Sequence, residues 1–308
     1  MTDAAQPYTA ESPFFGPELE DVRTRFDEAM RAVPELCHLS HYTQADWDFT
    51  LGTVPDDGYQ TMASTLIAAL TRLGRTLAEA GTGALLRCVA HSDGGAVFCN
   101  TFQQGEHVVG VALDPDSRHS LRDVPTLRAD MAIAELVTEV RRSVGQQGQN
   151  PGGFNIVKAP TDPLAWEPPA DADGDLRSRV AAVLDPGDLQ FVTLIQDGEA
   201  VLETDVFGER AAARFFRAGY TPARRRDFYR WLAPLLDSHA REIGRIVYPA
   251  IGRGLRRLTL DVQRGAIYYR KIDDCLYLVG VTLNQEGVIV ADLKSEWLSR
   301  PPDSWAGR

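Results

Sequence analysis

Cysteine is scarce, with four in 308 residues at positions 37, 88, 99 and 275. They follow neither a disulfide framework nor the paired Cys-x-x-Cys spacing of a zinc site. Cys37, Cys88 and Cys99 fall in strand-like runs, where a free thiol behaves as a small buried hydrophobe. Long apolar runs are missing too, and none approaches the roughly 20 residues that cross a bilayer. The first seventeen residues have neither the basic nor the apolar stretch of a signal peptide. These absences predict a cytoplasmic protein with no membrane contact. Positive charge is also short: 32 Lys+Arg stand against 43 Asp+Glu, a formal charge of −11. That balance opposes non-specific binding to nucleic acid or anionic lipid. Finally, there is no Gly-x-Ser-x-Gly, His-Glu-x-x-His or phosphate-binding glycine loop. The chain therefore reads as non-enzymatic, without cofactor or metal, although a triad assembled in space leaves no such trace in sequence.

What is present is an internal repeat. Sliding the sequence by 170 residues places Gly95-Ala96-Val97-Phe98 on Gly265-Ala266-Ile267-Tyr268, and Val109-Gly110-Val111 on Val279-Gly280-Val281. Over 62–114 and 232–284, 13 of 53 positions are identical, more than chance supplies over an ungapped stretch. Upstream, Asp21 to Phe26 resembles Asp175 to Val180 at an offset of 154. The change of offset puts about 16 extra residues into the second copy, most of them at 207–223. The domains expected are a disordered tail over 1–17, a module over 18–145, a Pro/Gly-rich linker over 146–173, a second module over 174–300 and a tail over 301–308. Trp166 is an aromatic in an otherwise polar linker and could dock on a domain.

Each module reads as α-ββ-α-βββ. Val22, Phe26 and Met30 make a helical stripe that Pro34 ends, and Leu176, Val180 and Val183 repeat it before Asp185-Pro186-Gly187. Two strands at 189–195 and 200–205 flank Asp197-Gly198, a strong hairpin signal. The matching stretch at 37–53 is more polar. The long helices carry Met62, Leu66, Leu70, Leu73 and Leu77 on one face, in register with Leu232, Leu236, Ala240, Ile243 and Val247. Gly74 and Gly244 sit mid-helix at a cost of about 1 kcal/mol each relative to Ala, which suggests that another backbone approaches there. Three strands follow in each copy, and Gly110 and Gly280 in the last of them leave room for an element packed above. The first copy then adds a helix over 124–144 and the second a shorter one over 293–298.

This pattern resembles the Roadblock (dynein light chain) family, with its profilin-like fold. The residues that carry it are Ile243-Gly244-Arg245, Gly254-Leu255-Arg256-Arg257-Leu258, Gly265-Ala266-Ile267-Tyr268 and Leu278-Val279-Gly280-Val281, and more faintly Gly95 to Leu113. The resemblance implies an α+β protein of two modules, each a five-stranded antiparallel sheet between helices. It implies platforms that pair through the long helix and the strand after it, so the two modules would pair within one chain or form a homodimer, with Gly74 and Gly244 where helices cross. In bacteria such modules regulate small Ras-like GTPases; elsewhere they scaffold trafficking or motor complexes.

Candidate sites are few. The exposed arginines of the long helices, Arg72, Arg75, Arg241 and Arg245, are the expected partner-facing residues, against the plainer reading of a solvated helix face. Cys37, His41, Cys88 and His91 could be drawn as a zinc site. Residues three apart on a strand face opposite sides, however, so buried cysteines and surface histidines are the simpler reading. Gly81-Thr82-Gly83 and Gly252-Arg253-Gly254 follow helices and read as C-caps rather than phosphate cradles. Arg224-Arg225-Arg226 before Phe228, Tyr229 and Trp231 mixes basic and aromatic residues as nucleic-acid sites do. Thr221-Pro222 marks a helix start, though, so the aromatics can be core. The function expected is a protein-interaction platform, with a small GTPase or a signalling complex as partner. The alternatives are a chaperone-like adaptor holding an extended segment at a sheet edge, and a small-molecule sensor or enzyme with a pocket between sheet and helices.

Overall fold

The computed structural model describes residues 8–53, 58–113, 124–143, 166–169, 175–216, 219–252 and 254–300. The chain divides into two compact units. Unit 1 comprises Met1–Leu73, Leu86–Asn150 and Ile243–Leu255; unit 2 comprises Gly74–Leu85, Pro151–Glu242 and Arg256–Arg308.

Unit 1 starts with strand β1 (Tyr8–Glu11), a short 3-10 helix at Pro17–Leu19 and helix α1 (Glu20–Ala32). Strands β2 (Leu36–Thr43) and β3 (Asp46–Gly52) then precede α2 (Tyr59–Glu79), whose part from Gly74 on belongs to unit 2. Strands β4 (Leu85–Ser92), β5 (Gly95–Gln103) and β6 (Glu106–Leu113) lead to α3 (Val124–Ser143). The strands lie in the order β1-β3-β2-β6-β5-β4, each of the five neighbouring pairs antiparallel. One sheet face carries Leu39, Phe49, Ala96, Phe98 and Val108 and is buried under Phe26 and Met30 of α1 and Ile133 and Val137 of α3. Alternation along β2 turns His38 and Tyr42 to the other face. There α2 meets them: the His38 and Tyr59 rings are 4.7 Å apart, and the Tyr42 hydroxyl donates to the Gln60 carbonyl.

The tail expected over 1–17 is corrected here. Tyr8–Glu11 pairs with β3, Tyr8 opposite Gly52 and Glu11 opposite Phe49, and Ser12 N–H donates to the Asp48 carbonyl at 2.8 Å. An extended segment satisfies its backbone groups by adding to an open sheet edge, a pairing that a short polar stretch does not advertise in sequence.

Unit 2 follows with α4 (Leu176–Val183), β7 (Phe191–Gln196), β8 (Glu199–Asp205), a 3-10 helix at Arg210–Phe215 and α5 (Pro222–Ile251), whose part from Ile243 on belongs to unit 1. Strands β9 (Arg257–Val262), β10 (Gly265–Lys271) and β11 (Leu276–Thr282) and helix α6 (Val288–Ser299) complete the chain. The order is β9-β10-β11-β7-β8, again antiparallel throughout. The turn between β7 and β8 has Asp197 and Gly198 both at positive φ, 52° and 85°, as a two-residue hairpin of this sequence requires. Its core joins Val180, Leu194, Leu202, Tyr268, Leu278 and Ala291. Helix α6 is longer than the 293–298 expected, because Val288 and Ala291 are buried and extend its apolar side. Trp166 does dock: its ring meets Trp297 at 6.2 Å, and the Arg179 guanidinium lies 4.3 Å over the Trp297 ring. The rest of the expected linker, apart from 167–169, and the tail at 301–308 lie outside the described residues.

Glycines at equal offset meet equal neighbours. A Cβ on Gly95 would lie 2.2 Å from the Ala112 carbonyl oxygen, and one on Gly265 1.8 Å from that of Thr282. Above Gly110 sits Ile133 of α3, and above Gly280 sits Ser295 of α6. The mid-helix glycines correct an expectation. What a Cβ on Gly74 or Gly244 would meet first is a leucine side chain, Leu85 or Leu255, at 3.2 Å in both cases. The missing side chain makes room for the residue that leads into the next strand, not for a crossing helix.

Candidate interaction surface on helix α5

Helix α5 begins as its sequence indicates. Thr221 accepts from Arg224 N–H at 3.3 Å, and Pro222 occupies the first helical position, where a missing N–H costs nothing. The arginine run that follows is engaged with the protein itself. Arg224 donates to the Gly219 carbonyl. Arg225 is buried and donates to the Gly81 carbonyl at 2.9 Å and to the Tyr229 hydroxyl at 3.4 Å. Arg226 clamps Asp205 of β8 through two bonds of 2.5 and 2.7 Å, and Arg230 pairs in the same way with Glu203. The forked guanidinium suits such two-point contacts. Hydrogen bonding to Asp205 and to Glu203 holds Arg226 and Arg230 above the usual arginine range.

The aromatics divide between core and surface. Tyr229 is buried against Phe191 and Phe207, with ring centroids at 5.7 and 6.2 Å. Phe207 in turn stacks on Phe191 and meets Phe216, so the extra segment at 207–223 contributes side chains to the unit 2 core. Trp231 is not core, as its helical spacing allowed it to be, but 53% exposed, and Leu235 one turn on is 39% exposed. Phe228 is half-buried with its ring 5.8 Å from that of Trp231. Steps of three and four residues put all three on one side of the helix. Solvent therefore meets a contiguous apolar strip, which is more informative than single exposed hydrophobes.

One turn beyond lies a polar cluster. Asp237 accepts from the Tyr269 hydroxyl at 2.8 Å and pairs with Arg241 at 2.6 Å. Burial and the Asp237 carboxylate push the Tyr269 phenol far above its ordinary value; burial first, then Asp237, pushes Tyr277 to about 12. Both hydroxyls are thus neutral donors at any physiological pH.

The four sequence-nominated arginines are all exposed, Arg72 and Arg75 on α2 and Arg241 and Arg245 on α5. Of these, Arg241 is tied back to Asp237. The apolar strip beside it escaped sequence reasoning because an apolar residue next to a core position reads as the margin of the buried face: Trp231 directly precedes Leu232, and Leu235 directly precedes Leu236.

The drawn zinc residues are not brought together. Cys37 and His41 lie on β2, with two strands, β6 and β5, between them and Cys88 and His91 on β4. Cys37 Sγ donates to the Val111 carbonyl, and burial pushes its thiol up to about 11. His41 is fully buried rather than a surface histidine. Among the described residues, no group of three or more His, Cys, Asp and Glu side chains is placed to hold a metal ion, and no helix is long and apolar enough to cross a membrane.

No family model and no curated protein matches this chain. Among solved structures it is similar to a Roadblock/LC7 domain from Streptomyces avermitilis, at 16% sequence identity and a TM-score of 0.32, over 39% of this chain and 93% of that domain.

Proposed function

We propose that the chain is a non-enzymatic protein-interaction platform built from two Roadblock-like modules, and that its partner docks on the outward side of α5. The observation that carries this reading is the solvent-facing Phe228, Trp231 and Leu235 strip beside Arg241. Buried aromatic anchors flanked by arginine are what protein interfaces concentrate their energy in. The modular reading is supported by the shared order of elements and strands and by three glycine pairs, 170 residues apart, with matching neighbours. A small Ras-like GTPase is the partner class that the family resemblance suggests.

The test compares the full chain with its Trp231→Glu variant in capture from lysate of the native cell, the recovered proteins being identified by mass spectrometry. The platform reading expects a protein held by the wild type and lost from the variant, with both unfolding at the same denaturant midpoint. Equal recovery by the two moves the interface elsewhere. Recovery of a tightly bound small molecule and no protein overturns the platform in favour of a sensor or enzyme. One observation favours the adaptor reading as an alternative: β3 carries β1 on its outer edge, whereas β8, in the matching position, ends its order with no strand beyond it among the described residues.

A further inference from the structure

A single row of residues crosses the unit 1 sheet on the side that faces α1 and α3. Arg87, Asn100, Val108, His41 and Phe49 are successive Cα partners on β4, β5, β6, β2 and β3. The matching row in unit 2 is Arg257, Arg270, Leu278, Leu194 and Leu202. Where unit 2 has Leu194, unit 1 therefore has an imidazole with no exposed surface.

His41 is surrounded by carboxylates as well as rings. Its Nδ1 lies 2.8 Å from Asp48 Oδ2 and its Nε2 3.6 Å from Glu106 Oε2. Phe49 stacks on it at 5.4 Å, with Phe102 at 5.3 Å and Phe26 at 6.2 Å. The Thr43 hydroxyl donates to the same Asp48 oxygen at 2.9 Å. Asp48 has no residue opposite it, because the β2–β3 register slips between His41 and Tyr42; a bulge of this kind re-aims a side chain. The carbonyl of Asp48 also receives Ser12 N–H at the end of β1.

An apolar residue at this position would hold the sheet at least as well, since buried ion pairs rarely outperform well-packed hydrophobes. Unit 2 places a leucine there. What leucine cannot do is take up a proton. With both nitrogens protonated, the ring donates towards Asp48 and carries a charge opposite Glu106. When it is neutral, one nitrogen faces a carboxylate without a proton, and the two acids share a poorly solvated space.

We propose that His41, gripped by Asp48 and Glu106, is a proton-operated latch that holds the turn end of the β2–β3 hairpin, and through Asp48 the N-terminal strand, onto unit 1. The groups that face it are few. From β3 comes Asp48 and from β6 Glu106, while His107 of β6, in the Tyr42 row on the other face, reaches it by charge alone; β5 presents Phe102. From α1 it meets Phe26, while Arg25 of that helix pairs with Glu139 of α3. Arg141 of α3 donates to the Thr101 and Phe102 carbonyls. Burial, and after it the charge on His41, hold His107 down at about 4, so it stays neutral over the working range. For His41 itself burial pulls downward, but the hydrogen bonds and charges of Asp48 and Glu106 outweigh it and raise the net value above 6.5. A raised histidine gives its full stabilisation below pH 6.5 and loses it as pH climbs through the folded-state value.

The test follows the His41 ring and the Ser12 amide of the full chain by NMR between pH 5.5 and 9. Amide opening is corrected for the base catalysis of exchange. The latch expects His41 to titrate above 6.5, and the Ser12 opening constant to rise about tenfold for each unit of that excess. His41→Leu, the residue of the matching row, should remove the dependence. The proposal fails if His41 titrates at or below 6.5, if Ser12 opening ignores pH, or if the leucine variant keeps the wild-type profile. Should that variant not fold, the wild-type ring titration and Ser12 opening decide the matter alone.

Discussion

Gly95 and Gly265 begin the middle strand of each three-strand run with φ of +148° and +111°, values that a side chain rarely adopts. A Cβ at 265 would also sit inside the van der Waals radius of a backbone oxygen that belongs to the neighbouring strand and cannot swing aside. Gly265→Ala should therefore cost at least about 3 kcal/mol in urea unfolding, by strain and lost pairing together. Gly244→Ala should be close to neutral, since the gain of about 1 kcal/mol in helix propensity is set against a 3.2 Å contact with Leu255. A loss at 244 as large as that at 265 would refute the distinction. The second residue-scale case is His107, whose neutral form is favoured down to about pH 4 by burial and by His41. Between pH 6.5 and 4 the unfolded chain binds a proton that the folded chain refuses, so stability falls as pH drops through that window. His107→Gln should flatten the acid side of the stability profile, measured by urea midpoint at pH 4.5 and 6.5, while leaving the alkaline side to His41.

At the scale of elements, most boundaries were legible because each has a local cause. Pro34 stops α1, Thr221-Pro222 opens α5, and Asp197-Gly198 turns β7 into β8. The departures have causes too. Tyr8–Glu11 becomes a strand only because β3 offers an edge, and α6 runs beyond 293–298 because its buried positions answer to β10 and β11, on which it packs. Tyr229 and Trp231, two positions apart, point to opposite sides of one helix, and Tyr229 is the one in step with Leu232 and Leu236. The structure separates them by burial, and mutation should as well. Tyr229→Ala removes a ring packed on Phe191 and Phe207 and should cost about 3–5 kcal/mol. Trp231→Ser, at a half-exposed position, should shift stability by no more than about 0.5 kcal/mol, while it weakens partner capture. A thermal or chemical midpoint for each variant settles which aromatic is core.

The molecule as a whole is divided at more than one place in its sequence. The Gly/Pro-rich stretch over 146–173 reads as the natural cut, yet unit 1 is completed by Ile243–Leu255 and unit 2 by Gly74–Leu85. The contacts are specific: Ser92 Oγ donates to the Ile251 carbonyl at 3.0 Å within unit 1, and within unit 2 the Gly81 carbonyl accepts from both Arg225 and Arg264. No pattern in either segment reveals this, because helical periodicity reports that a face is buried and not against what. A chain cut in the linker should thus give halves that each lack a piece of their own unit. Residues 1–150 alone would leave the Ser92 turn without Ile251, and residues 151–308 alone would leave buried Arg225 without the Gly81 carbonyl. An uncompensated buried guanidinium is costly, so the second half should suffer more. Expressed separately, each half is expected to unfold at a lower denaturant concentration than the intact chain and with broader transitions. Mixing the two should restore stability in a concentration-dependent way, since the missing segment then arrives by association. Independent halves of full stability, indifferent to mixing, would show that the linker is the true boundary.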